Sequence, residues 1–298
     1  ADVTDMDGNF LFHGKTVRQI EVPLSQQAVE FDKQLREYLR KGYSAQADNG
    51  KTIGRAIGFV MTVYRKLAAS SVAAIHTALQ RRLERLRGQV GQSIDSYDDE
   101  RYQGEQEEAD IQKSQASPFF PGEERILEGL IEKAASLEPN DTKLHAFMDG
   151  LVEIVIKENP QEKILVFTEY RSTQRWVQAA LNARFGEGSC VLIHGGMDMQ
   201  ERRDAIANFE EEGSAQFLVS TEAGGEGINL QHRCHIMVNY DLPWNPMRVE
   251  QRIGCIDLYG QEHDRIRIFS FILNDTIEER ILKRLYTRIR IFEESIGD

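Results

Sequence analysis

The strongest constraint on the fold of this chain is an alternation of two sequence patterns that begins at Lys163. Short apolar runs rich in β-branched residues, each of strand length, are separated by segments with helical periodicity. The runs are KILVFTEY, SCVLIHGG, FLVSTEAG, HIMVNYDLP and RIRIFSFIL. Strands alternating with helices over about 110 residues indicate an α/β fold, a parallel sheet with helices on both faces.

The loops that directly follow these strands are where we expect function, because ligands of open parallel sheets bind beyond the carboxyl ends of the strands. The loops in question are FTEYRS, IHGG, STEAGGEG and DLPWNP. Before this α/β part, the sequence predicts a different organisation.

The first ninety residues are mostly helical by their periodicity. A short strand pattern in GKTVRQIEVPLS precedes Ser25, which is placed to cap a helix. Two further stretches, one after residue 50 and one after Ser71, repeat apolar residues at helical spacing. We therefore assign residues 1–90 to a helical region.

The stretch at residues 95–110, DSYDDERYQGEQEEAD, is acidic and nearly free of aliphatic side chains. Such a segment buries too little apolar surface to offset the entropy of ordering. We expect residues 91–122 to form a flexible acidic insertion or linker. Either it is a solvated connection or it is a regulatory segment that mimics DNA phosphates. Residues 123–298 then form the α/β lobe with a closing helix.

Composition excludes some classes of protein. The chain is 41% hydrophobic and 28% charged, which is typical of a globular protein with a real core. No apolar run approaches the roughly 18 residues of a membrane span, and no signal-peptide pattern is present. The three cysteines form no CxxC pair, so a reducing, cytoplasmic setting is expected. The net charge of −12 disfavours strong DNA binding by the chain alone, although a local basic groove remains compatible with it.

The glycine-rich loop STEAGGEGINLQ, residues 220–231, has the composition of a phosphate-binding turn. Glycines let backbone amides approach phosphate oxygens closely, and Ser220 and Thr221 add hydroxyl donors. A tight connection with no ligand is an equally good interpretation of this loop taken alone.

The order of the motifs favours the functional interpretation. FTEYRST, IHGGM, STEAGGEGINLQ, DLPWNP and EQRIGxIDxYGQ occur in that order. Together they resemble the second, C-terminal RecA-like motor lobe of the Swi/Snf-type DNA translocases in helicase superfamily two, with bacterial RapA-like members the most similar. The resemblance is strong over residues 160–298. It is weaker over the first ninety, where RKLAASSVAAIHTALQRRL resembles the helical region between the two motor lobes.

The resemblance implies a role for each matched residue. Residues expected to line the DNA-facing groove are Thr168, Arg171, Gly195, Ser220 and Thr221. Residues expected to bind the nucleotide are Gly225, Glu226, Gly227 and Asn229, the last of these at the ribose. Catalytic roles are expected for Gln251 and Arg252, which would connect the nucleotide site to the DNA site.

The final motif departs from the family pattern. Where the family has QRxGRxxR, this chain has QRIGCIDL, so Cys255 and Leu258 replace two arginines. An arginine supplied to a transferring phosphoryl group is worth roughly 10³–10⁵ in rate, and neither replacement offers a guanidinium. We therefore predict very poor ATP hydrolysis, even with the other lobe present. Cys255 lacks an evident base and is not expected to act as a nucleophile.

The resemblance also implies partners and cofactors. The chain has no GxxxxGK[ST] loop and no DExH-like motif, which belong to the first lobe. We expect a fragment of a longer bacterial protein that uses ATP with Mg²⁺ only together with its N-terminal motor lobe and is inactive alone. Expected partners are double-stranded DNA and a protein target such as RNA polymerase, in the nucleoid and not at a membrane. The alternative is a non-catalytic DNA- or protein-binding module that kept the fold.

The tetrapeptide HRCH at residues 232–235 has metal-binding residue types. In a strand His232 and Cys234 face one way and His235 the other, and a zinc site needs further ligands at suitable spacing. No such ligand lies near in the sequence, so the sequence predicts no metal site.

Overall fold

The computed structural model describes residues 14–48, 51–89, 103–112, 117–225, 227–243, 245–258, 260–274, 276 and 279. The strands are β1 (Gly14–Val22), β2 (Ile164–Thr168), β3 (Cys190–Ile193), β4 (Phe217–Thr221), β5 (Ile236–Asn239) and β6 (Arg265–Leu273). The first helices are α1 (Gln26–Asp48), α2 (Lys51–Ser70), α3 (Val72–Leu86), α4 (Gln103–Gln112) and α5 (Glu123–Leu137). The remaining helices are α6 (Thr142–Phe147), α7 (Glu153–Glu158), α8 (Arg171–Phe185), α9 (Met199–Glu210), α10 (Glu222–Gly225) and α11 (Pro246–Gly254). A 3₁₀ turn (Glu138–Asn140) follows α5, and a π-helical turn (Met148–Val152) joins α6 to α7.

The six strands form one sheet in the order β1-β6-β5-β2-β4-β3, with every neighbouring pair parallel. The predicted parallel sheet is therefore confirmed. The short strand predicted in GKTVRQIEVPLS is β1, and the structure adds that it joins this sheet by pairing along β6 from Gly14 to Val22. Its edge position agrees with its mostly exposed residues.

Helices cover both faces of the sheet, as predicted. Alternate residues of β2 separate the two layers: Ile164 and Val166 pack with α6, α7 and α8, whereas Leu165 and Phe167 pack with α9 and α11. The strand period of two sends successive side chains to opposite faces, and apolar burial on both faces explains why β2 is apolar from Ile164 to Phe167. Among the described residues, no helix combines the length and apolar character required to cross a bilayer.

The helical region has a core of its own, built from α1, α2, α3 and α5. Ser25 accepts a hydrogen bond from the backbone amide of Ala28 (3.1 Å), which confirms the predicted cap, and Ser71 caps α3 in the same way by accepting from the amide of Ala74 (3.0 Å). Helix α5 packs against α1 and α3. The boundary predicted at residue 123 therefore placed α5 in the wrong unit, because its apolar stripe faces other helices and not the sheet.

The acidic segment is more ordered than predicted. Residues 103–112 form α4, where we expected a flexible linker. Glu107 forms a buried ion pair with Lys66 (2.5 Å), and Ile111 is buried in the helical core. A local count of aliphatic residues misses this, because α4 is held by residues distant in sequence, Lys66 and Arg85 before it and Arg171 after it. The predicted closing helix and Glu226 lie outside the described residues.

Candidate functional site

The loops singled out in the sequence all leave the sheet at one edge, because the strands are parallel. Strands β2, β3, β4 and β5 end at Thr168, Ile193, Thr221 and Asn239, and the four loops follow directly. This carboxyl edge is where open parallel sheets bind ligands. The structure therefore brings the described residues predicted to face DNA and those predicted to bind the nucleotide to the same end of the α/β lobe.

Two glycines of the loop after β4 are required by the local geometry. A Cβ atom on Gly225 would lie 2.7 Å from the Phe167 ring, closer than real Cβ contacts allow. Gly227 has φ of 78°, a conformation that residues with side chains rarely adopt. The glycine loop, residues 222–225 and 227–230, thus passes close to the Phe167 ring at the end of β2.

The glycine loop and α11 form the two walls of a cleft with a volume of about 520 Å³. Predicted residues that line it are Gly225, Gly227, Asn229, Gln251, Arg252, Cys255 and Leu258. The backbone amide of Leu230 donates to the carbonyl of Cys255 (2.9 Å), which joins the two walls. All the described residues that we assigned to the nucleotide, to catalysis and to the missing arginines therefore meet in one cleft.

Helix α11 is positioned by the motif that precedes it. Asn245 caps the helix by accepting from the amide of Met247 (3.1 Å), and Pro246 occupies the first turn, where a missing N–H costs nothing. This capping places Gln251 on the exposed side of the helix, within the cleft, and Arg252 on the buried side.

Arg252 is 1% exposed and joins the glycine loop to the end of β5. Its guanidinium donates from Nε to Glu222 (2.5 Å) and from Nη1 to the side-chain oxygen of Asn239 (2.9 Å) and the carbonyl of Asp241 (2.8 Å). It also lies over the Phe167 ring at 5.2 Å. These contacts suit a connecting role, because Arg252 joins the glycine loop at Glu222 to Asn239 and Asp241 at the end of β5.

Asp241 is a site residue that the sequence analysis did not assign. Its carboxylate accepts from the Ser70 hydroxyl (2.5 Å), the Thr168 hydroxyl (2.6 Å) and the Glu169 amide (2.8 Å). It therefore links the end of α2 to the ends of β2 and β5. The available signal was its place as the first polar residue after a buried strand, in DLPWNP.

The DNA-facing group is only partly accessible, which corrects the prediction. Thr168, Ser220 and Thr221 are all 0% exposed, and the Ser220 hydroxyl donates to the Thr221 carbonyl (2.9 Å). Fully buried hydroxyls cannot contact a DNA phosphate in this conformation. They are buried because they belong to the last residues of central strands and not to the loops beyond. Arg171 and Gly195 are partly exposed, and their DNA-facing role stays a prediction.

The amino end of α8, where Arg171 lies, is occupied by the acidic helix α4. The Glu108 carboxylate accepts from the backbone amides of Arg171 (2.7 Å) and Ser172 (3.3 Å). Burial raises the pKa of Glu108, and these hydrogen bonds oppose the rise. A carboxylate at a helix amino end is favourable because the first amides are unpaired and the helix dipole is positive there.

The two positions without arginine differ in access. Cys255 is 4% exposed, and its thiol donates to the Gly225 carbonyl (3.3 Å). Burial, with a smaller effect of Glu222 that Arg252 opposes, raises the pKa of Cys255 to about 12. The thiol is therefore neutral and unsuited to act as a nucleophile. Leu258 is 39% exposed and lines the cleft, so its replacement would point into the cleft without disturbing the core.

Comparisons with known proteins agree with this geometry. Residues 144–256 match the model of the helicase conserved C-terminal domain. The chain is 40% identical over 187 residues to an uncharacterized ATP-dependent helicase, YqhH, of Bacillus subtilis (strain 168). The matched stretch covers 63% of this chain and 31% of that protein. The chain thus spans about a third of the length of this curated relative.

Solved structures at low sequence identity share the fold. The Pyrococcus furiosus Hef helicase domain has a TM-score of 0.59 at 16% identity, covering 92% of this chain and 58% of that one. The C-terminal part of the Fun30 ATPase domain has a TM-score of 0.54 at 18% identity, covering 91% and 89%. The Sulfolobus solfataricus SWI2/SNF2 ATPase C-terminal domain has a TM-score of 0.52 at 14% identity, covering 95% and 90%. The chain therefore contains a helicase conserved C-terminal domain with a RecA-like fold, is homologous to an ATP-dependent helicase, and is similar in structure to Swi2/Snf2 C-terminal ATPase lobes.

Proposed function

We propose that this chain is the C-terminal motor lobe of an ATP-dependent double-stranded-DNA translocase of the Swi/Snf type, similar to bacterial RapA-like proteins. The observation that carries the proposal is the single cleft in which the glycine loop meets Gln251 and Arg252 of α11. Homology to an ATP-dependent helicase supports it.

The residues of the cleft fit a nucleotide. Its volume of about 520 Å³ lies within the usual range for small-ligand sites. The uncovered backbone of Gly227 and the amide side chains of Asn229 and Gln251 supply polar groups suited to ribose and phosphate oxygens. ATP with Mg²⁺ would supply the energy of phosphoryl transfer once the N-terminal motor lobe completes the site.

The coupling of nucleotide to DNA would run through Arg252 and Asp241. Arg252 contacts the glycine loop at Glu222, and the carbonyl of Asp241 accepts from it, while the Asp241 carboxylate holds the end of β2. A shift of α11 on nucleotide binding would therefore move the segment that connects β2 to Arg171 at the start of α8. DNA phosphates at the amino end of α8 would have to displace Glu108, which makes α4 a competing anion.

A second candidate follows from Cys255 and Leu258. A lobe without those guanidinium groups suits a module that binds DNA or protein without turnover, because neither side chain can stabilise the charge of a transferring phosphoryl group. The two candidates differ in whether nucleotide changes DNA affinity.

The experiment measures the affinity of the full-length protein for double-stranded DNA by fluorescence anisotropy, with and without a non-hydrolysable ATP analogue. This readout does not need hydrolysis. We expect the analogue to change the affinity by at least about fivefold, the lower end of typical coupling. Gln251→Ala, in the cleft, should reduce the change, whereas the exposed Gln161→Ala at the opposite edge should not. DNA affinity that is the same with and without nucleotide would favour the non-catalytic module.

A further inference from the structure

The amino edge of the sheet, opposite the cleft, gathers three side chains with metal-ligand chemistry. Glu162, His235 and His263 come just before β2, β5 and β6, which are adjacent strands in the sheet. Each offers a ligand atom, and these atoms all lie within 4.8 Å of one another. The parallel order of the strands thus builds the group from three distant parts of the sequence.

Burial and an unused nitrogen point to a ligand at this place. His235 is 9% exposed, and its Nδ1 atom makes no hydrogen bond within the described part of the chain, although Glu162 Oε1 lies 3.4 Å away. The rings of His235 and His263 lie nearly parallel, with centroids 3.8 Å apart. A buried polar atom without a partner is costly, and a bound cation would satisfy it.

Neighbouring side chains hold His263 in a form that can bind a metal ion. The amide nitrogen of Gln261 donates to the carbonyls of Cys234 (3.1 Å) and Ile256 (2.8 Å), which orients its oxygen toward His263. That oxygen lies 3.1 Å from His263 Nδ1, so Nδ1 carries the proton and Nε2 keeps its lone pair. Metal-ligating histidines characteristically donate their second nitrogen to such an acceptor.

The carboxylate is supported in the same way. Glu162 Oε2 accepts from the side-chain amide of Asn159 (3.1 Å), and the backbone amide of Lys163 donates to Oε1 (3.3 Å). The ligand atoms of a tetrahedral zinc ion are about 3.3 Å apart, so binding requires side-chain rotations that bring these atoms up to about 1.5 Å closer and tilt the His235 and His263 rings out of their parallel stack.

We propose that Glu162, His235 and His263 bind one divalent transition-metal ion, Zn²⁺ by ligand preference, with water as the fourth ligand. The ion would join the amino ends of β2, β5 and β6, and its role would be structural. No further ligand lies near HRCH in the sequence, but the sheet brings Glu162 and His263, which are distant in sequence, next to His235. The proposal does not depend on the nucleotide cleft.

The test is titration of the metal-stripped 298-residue chain with Zn²⁺ by calorimetry, with the visible spectrum of the Co²⁺-substituted protein as a second readout. We expect one equivalent of Zn²⁺ and a tetrahedral cobalt spectrum without thiolate bands. His263→Gln should weaken Zn²⁺ binding by at least about 10–100-fold, because loss of even a residue that only supports a metal ligand typically costs that much affinity. His232→Gln is the matched control, since that imidazole belongs to HRCH but is exposed and outside the group.

Two further measurements keep the result interpretable. Circular dichroism of each variant establishes that it folds, and Glu162→Gln removes the anionic ligand with little change in shape. Zn²⁺ should raise the melting temperature of the wild-type chain and of His232→Gln but not of His263→Gln. The proposal is overturned if the wild-type chain takes up less than one equivalent at micromolar free Zn²⁺. It is equally overturned if folded His263→Gln binds Zn²⁺ as tightly as His232→Gln, which would leave the two histidines as a stacked, metal-free pair.

Discussion

At the scale of single residues, the Glu169 carboxyl group at the carboxyl edge of the sheet is in its protonated, neutral form. Glu169 is 7% exposed and comes directly after β2. Burial, and next the charge of Asp241, raise the pKa of Glu169 to about 8, and Arg252 opposes this rise. Asp241 receives hydrogen bonds from two hydroxyls and one amide, which suits the carboxylate that carries the charge. The motif residue Glu169 therefore holds a proton at neutral pH.

This protonation makes stability depend on pH. Between the ordinary value of 4.5 and about 8, the folded chain keeps the Glu169 proton while the unfolded chain has released it. Its contribution to the free energy of unfolding is therefore fully present below pH 4.5 and is lost as the pH rises through 8.

We predict that Glu169→Gln flattens the decline of stability across this range and stabilises the chain most at pH 8 and above. Urea denaturation at a series of pH values provides the measurement, with exposed Glu158→Gln as the control. Parallel pH profiles for Glu169→Gln and the wild-type chain would contradict the assignment.

At the scale of elements, Glu123 holds the helical region together. Its carboxylate accepts from Arg82 Nε (3.0 Å), the Tyr38 hydroxyl (2.9 Å) and the Phe119 amide (2.6 Å). These donors come from α3, α1 and the segment before α5. The Arg82 side chain is 0% exposed, and the Glu123 carboxylate supplies a counter-charge to it inside the helical core.

Glu123→Ala should therefore destabilise the chain by about 3–5 kcal/mol, since it removes a counter-charge from a buried guanidinium and the acceptor of the Tyr38 hydroxyl and the Phe119 amide. The adjacent Glu124→Ala is the matched control and should cost less than about 0.5 kcal/mol, because that side chain is half exposed. Urea denaturation of both variants measures the difference. Equal losses would mean that Glu123 acts only through helix α5 itself.

At the scale of the whole molecule, the sheet separates two edges with different chemistry. The carboxyl edge carries the cleft and the Arg252–Asp241 connection, and the amino edge carries the Glu162–His235–His263 group. The four loops that the sequence analysis singled out all belong to the carboxyl edge, because each directly follows a parallel strand.

What the sequence could predict follows from the same distinction. Local signals predicted the strands, the cap at Ser25 and the loops that line the cleft. Contacts between distant segments were not predictable in this way. They include the pairing of β1 with β6, the order in α4 and the role of Asp241. Burial of Ser220 also depends on the packed sheet and not on its motif.

The most direct test of the motor-lobe account is ATP turnover by the full-length protein in the presence of double-stranded DNA. We expect slow turnover with Cys255 and Leu258, and a rise of at least about tenfold in Cys255→Arg/Leu258→Arg, out of the roughly 10³–10⁵ that such an arginine can supply. Leu258→Arg alone guards against misfolding, because that position is exposed, and Met247→Arg places a guanidinium elsewhere in the cleft as a control. Turnover that is equal in the wild-type protein and in the folded double variant would contradict the account.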